Sequence, residues 1–189
     1  MSATPLNNPN AIENTTVKSL RMKKTKDTSN KFKKNYFVTG KDGHRITLSI
    51  KNVSIPFGCE EFHGRNIVNM EIHPKHDNIH HNIKATLTTF EEQLKDPENF
   101  YSKEVTEDMK GKGYYPNIRK SENGYIIRTV LFGSPEIYTN IGKFKTVLTK
   151  NDIAKTTADV DLEIGTFWIA DSQYGFLWYV KKIEVTDIC

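Results

Sequence analysis

From His44 onward, apolar and polar residues alternate with a period of two, the signature of strands with one buried face. Ile46, Leu48 and Ile50 share one parity; after Asn52 the apolar set moves to the other parity with Val53, Ile55 and Phe57. A strand that changes phase contains a bulge or a bend. The same shift recurs where Val160, Leu162 and Ile164 give way after Gly165 to Phe167 and Ile169. Two long bent strands, one with a glycine at the bend, suit a strongly coiled sheet or a closed barrel, because flat strands cannot close.

Further strands are expected at Ile67 to Ile72, Tyr125 to Phe132, Phe144 to Leu148 and Phe176 to Val185, with turns at residues 62–66, 121–124 and 171–175 rich in Gly, Asn, Asp and Ser. The strands at 160–169 and 175–185 should pair antiparallel across their short polar turn. Between Ala85 and Lys110, Phe90, Leu94, Val105 and Met109 fall at helical spacing around a break at Asp96-Pro97, predicting one helix or two short ones. Several strands, one helical insertion and no βαβ rhythm give a mainly β class and a barrel or sandwich.

The first 30 residues are rich in Asn, Thr, Ser and Lys without apolar periodicity, so they are expected to form a flexible basic arm, with a folded domain over 31–189. No solenoid-type repeat is visible. Residues 1–45 carry ten Lys/Arg against three Asp/Glu, whereas the rest carries 17 against 20. A cationic arm on a near-neutral body suits a polyanion, because each cation placed at a phosphate releases condensed counterions. It equally suits a solvated tail. The mean hydropathy of −0.59 agrees with an unfolded portion. The longest apolar runs fall far short of the ~20 residues that span a bilayer, so no membrane partner is expected. The N-terminus has neither a basic start nor an apolar stretch, so an intracellular location is expected.

Catalytic chemistry finds no foothold. No phosphate-cradling glycine motif occurs, and Gly111-Lys112-Gly113 reads as a flexible turn. His73, His76, His80 and His81 crowd nine residues, yet Pro74 and Asn78 argue against a helix there and no H-E-x-x-H is present, so a polar loop is read rather than a metal site. Cys59 near His63 lacks a third orienting residue and reads as a structural thiol; adjacent acids such as Glu60-Glu61 and Glu91-Glu92 read as solvated surface. The expectation is therefore no catalytic residue, no metal and no cofactor.

Aromatics make up 11% of the chain, and many sit beside cations. Single strands are held by stacking bases on such rings while Lys and Arg track the phosphates. The binding candidates are Lys31, Lys33, Lys34, Tyr36, Arg45, Lys51, Arg65, Tyr114, Tyr115, Arg119, Lys120, Arg128, Phe132 and Trp178. Phe57, Phe167 and Phe176 are read as core, and the core is favoured for the tryptophans as well.

The passage Lys51 to Ile72, with Pro56-Phe57-Gly58-Cys59-Glu60 between two strands, resembles the single-stranded DNA-binding proteins of nucleocytoplasmic large DNA viruses, which are similar to the OB-fold binding proteins of short-tailed phages. Ala158 to Ile164 and Gly175 to Val180 are similar to their closing pair of strands. Over about residues 35 to 185 the resemblance implies an OB-type five-stranded barrel with a helical connection. It also implies a sequence-tolerant, non-catalytic single-stranded DNA-binding role in viral replication, recombination or repair, with replication proteins as partners at replication sites in the host cytoplasm or nucleus. The phage relatives end in a strongly acidic tail, whereas this chain ends Val185-Thr186-Asp187-Ile188-Cys189, so recruitment or dimerisation through such a tail is not carried over. Two alternatives stand beside this: a structural or adaptor β-domain of a virion or assembly, and an RNA-binding OB module.

Overall fold

The computed structural model describes residues 10–25, 33–142 and 144–188. In chain order its elements are β1 (Arg21–Lys24), β2 (Lys34–Thr39), β3 (Thr47–Ile55), β4 (Cys59–Phe62) and β5 (Arg65–Ile72). The helices α1 (Asn78–Leu94) and α2 (Lys103–Met109) follow. The chain then continues through β6 (Gly113–Tyr114), β7 (Ile118–Lys120), β8 (Tyr125–Leu131), β9 (Glu136–Thr139), β10 (Thr146–Val147), β11 (Thr156–Ile169) and β12 (Gln173–Ile188).

Five of these strands close on themselves. β3 pairs with β5, β5 with β8, β8 with β12, β12 with β11, and β11 again with β3. All are antiparallel except β8 with β12. This ring is an OB-type five-stranded barrel, in which β3, β5, β8, β11 and β12 are the first to fifth strands. The bends expected from the apolar phase shifts lie where the barrel turns its corners. Opposite Ala158 and Val160, β3 carries one extra residue, with Asn52 at φ 61°. Asp159 holds this bulge by accepting from Asn52 N at 3.0 Å. On β11 the register shifts between Ile164 and Thr166. A Cβ on Gly165 would lie 2.2 Å from the Tyr179 ring, so only glycine admits that ring at the bend.

Inward residues of the five strands, among them Val53, Val68, Met70, Ile127, Leu162, Phe167 and Trp178, form the core. Each large apolar side chain buried there contributes about 1.5–3 kcal/mol. α1 covers one end with Leu87, Phe90 and Leu94. Its N-cap is Asp77, whose carboxylate accepts from Ile79 N and His80 N, so the helix starts seven residues before the expected Ala85. The histidine segment is thus not a polar loop throughout. Pro74 lies ahead of the cap and does not disturb the helix. His80 is buried, its Nδ1 accepts from His73 N, and its Nε2 faces the Lys51 carbonyl at 2.8 Å, tying α1 to the bulge of β3.

Two further expectations are corrected. Of the arm expected over 1–30, residues 10–25 are folded: Ile12, Val17 and Leu20 are buried in the core and Val17 N donates to Gln93 Oε1 of α1. These residues enter the core from two single 3-10 turns, a spacing without period that periodicity cannot register. β1 then pairs with β2 along the expected basic run. The strand expected at 144–148 shrinks to Thr146–Val147, with Phe144 82% exposed.

Candidate nucleic-acid interface

Outward residues of the barrel line a groove of about 340 Å³. Its floor is Ile67 of β5, Val130 of β8 and Leu177 of β12. One wall is the β4–β5 hairpin with Phe62, His63 and Arg65; the other is the Tyr115–Asn117 segment with Arg119. Trp168 and Lys33 stand at one end, and Arg128 rises from β8. Rings and cations interleave: Arg119 lies 4.4 Å from the Tyr115 centroid, Lys33 5.1 Å from Trp168 and Arg128 5.7 Å from Phe62. The Tyr115 and Trp168 rings are 6.0 Å apart. Among the described residues, no carboxylate lines this groove. The second and third strands and the loops after the first and fourth are the surface on which OB barrels hold oligonucleotides, and this groove occupies it.

The wall carrying Tyr115 is pinned from below. β6 runs parallel to the start of β12, and Tyr115 N donates to Tyr174 O at 2.8 Å. Asn117 Nδ2 donates to Phe176 O at 2.9 Å, while Asn117 N and the Tyr114 hydroxyl both donate to Oε1 of Glu91, at 2.8 and 2.9 Å. Glu91 is buried on α1, and desolvation raises its carboxyl above the usual range despite these donors. Glu91 is therefore not the solvated acid its sequence neighbour Glu92 is. Burial likewise pushes the Cys59 thiol up, away from the thiolate that a nucleophile needs.

Of the sequence candidates, Lys33, Arg65, Tyr115, Arg119 and Arg128 come together in the groove. Phe132 and Arg45 line a neighbouring concavity with Tyr179 and Lys181, reached along the same outward face of β12. There Phe132, 66% exposed, stacks on Tyr179 at 4.9 Å. The Arg45 guanidinium donates to the carbonyls of Val38, Ile164 and Gly165 and lies 3.6 Å from the Phe37 centroid, so its first task is to hold the β11 bend.

The rest are elsewhere. Trp178 is fully buried against Phe176 and cannot stack on a base. Tyr36 is buried, with its hydroxyl on Asp108. Tyr114 turns inward to Glu91, the opposite parity from Tyr115. Lys34 is paired with Asp108 and Lys51 with Asp159, charges already neutralised within the protein. Lys120 is exposed at the end of β7, outside the groove, and Lys31 lies outside the described residues.

Trp168 and Phe62 were not among the candidates. The signal for Trp168 was present: once Phe167 and Ile169 face inward, the residue between them must face out. Phe57, expected in the core, is 65% exposed because the chain turns there through Gly58 at φ 71°.

No family model and no curated protein sequence matches the chain. Solved structures do. A C-terminally truncated form of the single-stranded DNA-binding protein from bacteriophage Enc34 superposes with a TM-score of 0.50 at 10% identity, over 89% of this chain and 96% of that one. The chain shares its fold with a phage single-stranded DNA-binding protein. The untruncated Enc34 protein (TM-score 0.47, 11% identity, 88% and 90% covered) and its complex with single-stranded DNA (0.46, 13%, 89% and 97%) are also similar. At such identity the likeness is one of fold.

Proposed function

We propose that this chain is a sequence-tolerant, non-catalytic single-stranded DNA-binding protein. The observation that carries the reading is the groove on the second and third barrel strands: three rings, Phe62, Tyr115 and Trp168, interleaved with Lys33, Arg65, Arg119 and Arg128, and no carboxylate among the described lining residues. Rings accept any base by its π-face, and the cations follow the phosphates, which gives affinity without a sequence code. The Enc34 likeness supports the reading at the level of fold. On the motif resemblance we further propose a role in viral DNA replication, recombination or repair, with replication proteins as partners at replication sites inside the host cell.

Titration with poly-dT, duplex DNA and poly-U at two salt concentrations tests it. The expected result is preference for poly-dT over duplex and poly-U, with log K falling by about 0.7 per neutralised phosphate for each unit of log salt. Equal binding to duplex at both salts would overturn it, and preference for poly-U would reassign the groove to RNA.

A further inference from the structure

The groove is not the end of the outward aromatic and cationic surface. Strand alternation carries it sideways onto β2 and β1. Directly opposite residues of paired strands point to the same face. Leu177 of the groove floor sits opposite Thr166, Thr166 opposite Phe37, and Phe37 opposite Lys23. One row therefore runs from β12 through β11 and β2 to β1, the edge strand of the sheet. Neighbouring strands lie about 4.8 Å apart, so Phe37, two strands from Leu177, stands about 10 Å from the groove floor.

At that edge Arg21, Lys23, Phe37, Tyr101 and Lys103 surround an open concavity. The Arg21 guanidinium lies 4.0 Å from the Tyr101 centroid, and Tyr101 is 66% exposed. Phe37 is also exposed, with Arg45 against its ring. As in the groove, no carboxylate lines the concavity among the described residues.

The contrast within the basic run is informative. Lys24, of opposite parity to Lys23, is paired with Glu104 of α2, and Lys34 of β2 with Asp108 of the same helix. Lys23 and Lys103 are exposed, and neither takes part in an ion pair among the described residues. The fold thus neutralises the lysines on one face of β1 and β2 and leaves cations and rings together on the other.

We propose that this edge is a second subsite for single-stranded DNA, in which Lys23 and Lys103 contact phosphates and Tyr101 and Phe37 offer stacking surfaces to a strand that leaves the groove across β11 and β2. The proposal rests on the reading of the groove as a single-strand site. Its consequence is a binding site longer than the groove, built partly by the N-terminal segment.

The test compares oligothymidylates of about 4 and about 16 nucleotides, the span of site sizes for one OB barrel, on the full chain and on Lys23→Ala/Lys103→Ala. Both lysines are exposed, so the double variant should unfold at the wild-type temperature. It should bind the short strand as the wild type does, but bind the long strand more weakly, with a salt slope reduced by about 1.4, or about 0.7 per lost phosphate contact. Arg128→Ala, in the groove, should weaken both lengths. An unchanged slope and affinity for the long strand in the double variant would overturn the second subsite while leaving the groove in place. Failure of the wild type to bind either strand would overturn both.

Discussion

Trp168 is the side chain on which the single-strand reading can be tried most sharply. It projects from β11 into the groove, half-buried, with Tyr115 at 6.0 Å and Lys33 at 5.1 Å. Truncation to alanine removes one stacking platform, worth about 1–3 kcal/mol per base. That is about 5- to 150-fold in Kd. The same change forfeits the ring contact, worth about 0.5–1.5 kcal/mol, and the cation contact, worth about 0.5–1 kcal/mol. Against a typical stability of about 5–15 kcal/mol, that loss leaves the barrel folded. Weakened binding by Trp168→Ala would therefore report the groove and not the fold. Fluorescence separates the two indoles, because Trp178 is sealed in the core. Quenching on titration with poly-dT should vanish in Trp168→Phe, which keeps a ring and most of the affinity, and persist in Trp178→Phe. Binding by Trp168→Ala within about twofold of wild type, below the lowest stacking estimate, would refute the assignment, as would quenching that survives in Trp168→Phe.

Other consequences follow from the same packing. Trp178→Ala should cost about 3–5 kcal/mol in chemical denaturation through the cavity it leaves, and weaken binding only as far as the barrel loosens. Glu91 has a folded-state carboxyl raised by burial, so the native state holds its proton more tightly than the unfolded chain. Wild-type stability should then fall as pH rises from the ordinary carboxylate value through the elevated one. Glu91→Gln can keep both donors on Oε1 without the buried charge; its melting temperature should exceed wild type at neutral pH, and the gain should disappear under acid. Gly165→Ala places a methyl against the Tyr179 ring and should cost about 1–3 kcal/mol; in a Tyr179→Ala background the same change should be nearly neutral, a double-mutant cycle read by thermal unfolding.

How far the sequence disclosed this structure depended on whether a period was present. The phase shifts at Asn52 and Gly165 located both bends, since the buried face of each strand is apolar at nearly every inward position. Phe90, Leu94, Val105 and Met109 located both helices. Ile12, Val17 and Leu20 gave no sign, because single 3-10 turns deliver apolar residues at irregular intervals. In the groove, charge and aromatic content pointed to Tyr115, Arg119 and Arg128, but composition cannot separate neighbours that alternate between faces. Tyr114 and Tyr115, Lys33 and Lys34, and Trp168 and Phe167 are such pairs, and only the register of each strand decides which member meets solvent. Phe57 fails for a related reason: it continues the inward parity of Val53 and Ile55, but the strand ends at Ile55 and Phe57 lies in the turn before Gly58, where that parity no longer applies.

The closure of the barrel has a bearing on how the chain folds. β12 follows the other four barrel strands in sequence, yet it alone joins β11 to β8, and it also seats β6 and β9. Until residues 173–188 are in place, β11 and the Thr129–Val130 stretch of β8 each present a bare edge, and Phe167 lacks its ring contact with Tyr174. Pairings this distant along the chain make closure slow, and open edges invite pairing with other chains. Folding should thus be a single late event, and the species most prone to aggregate should be the chain in which β12 has not yet docked.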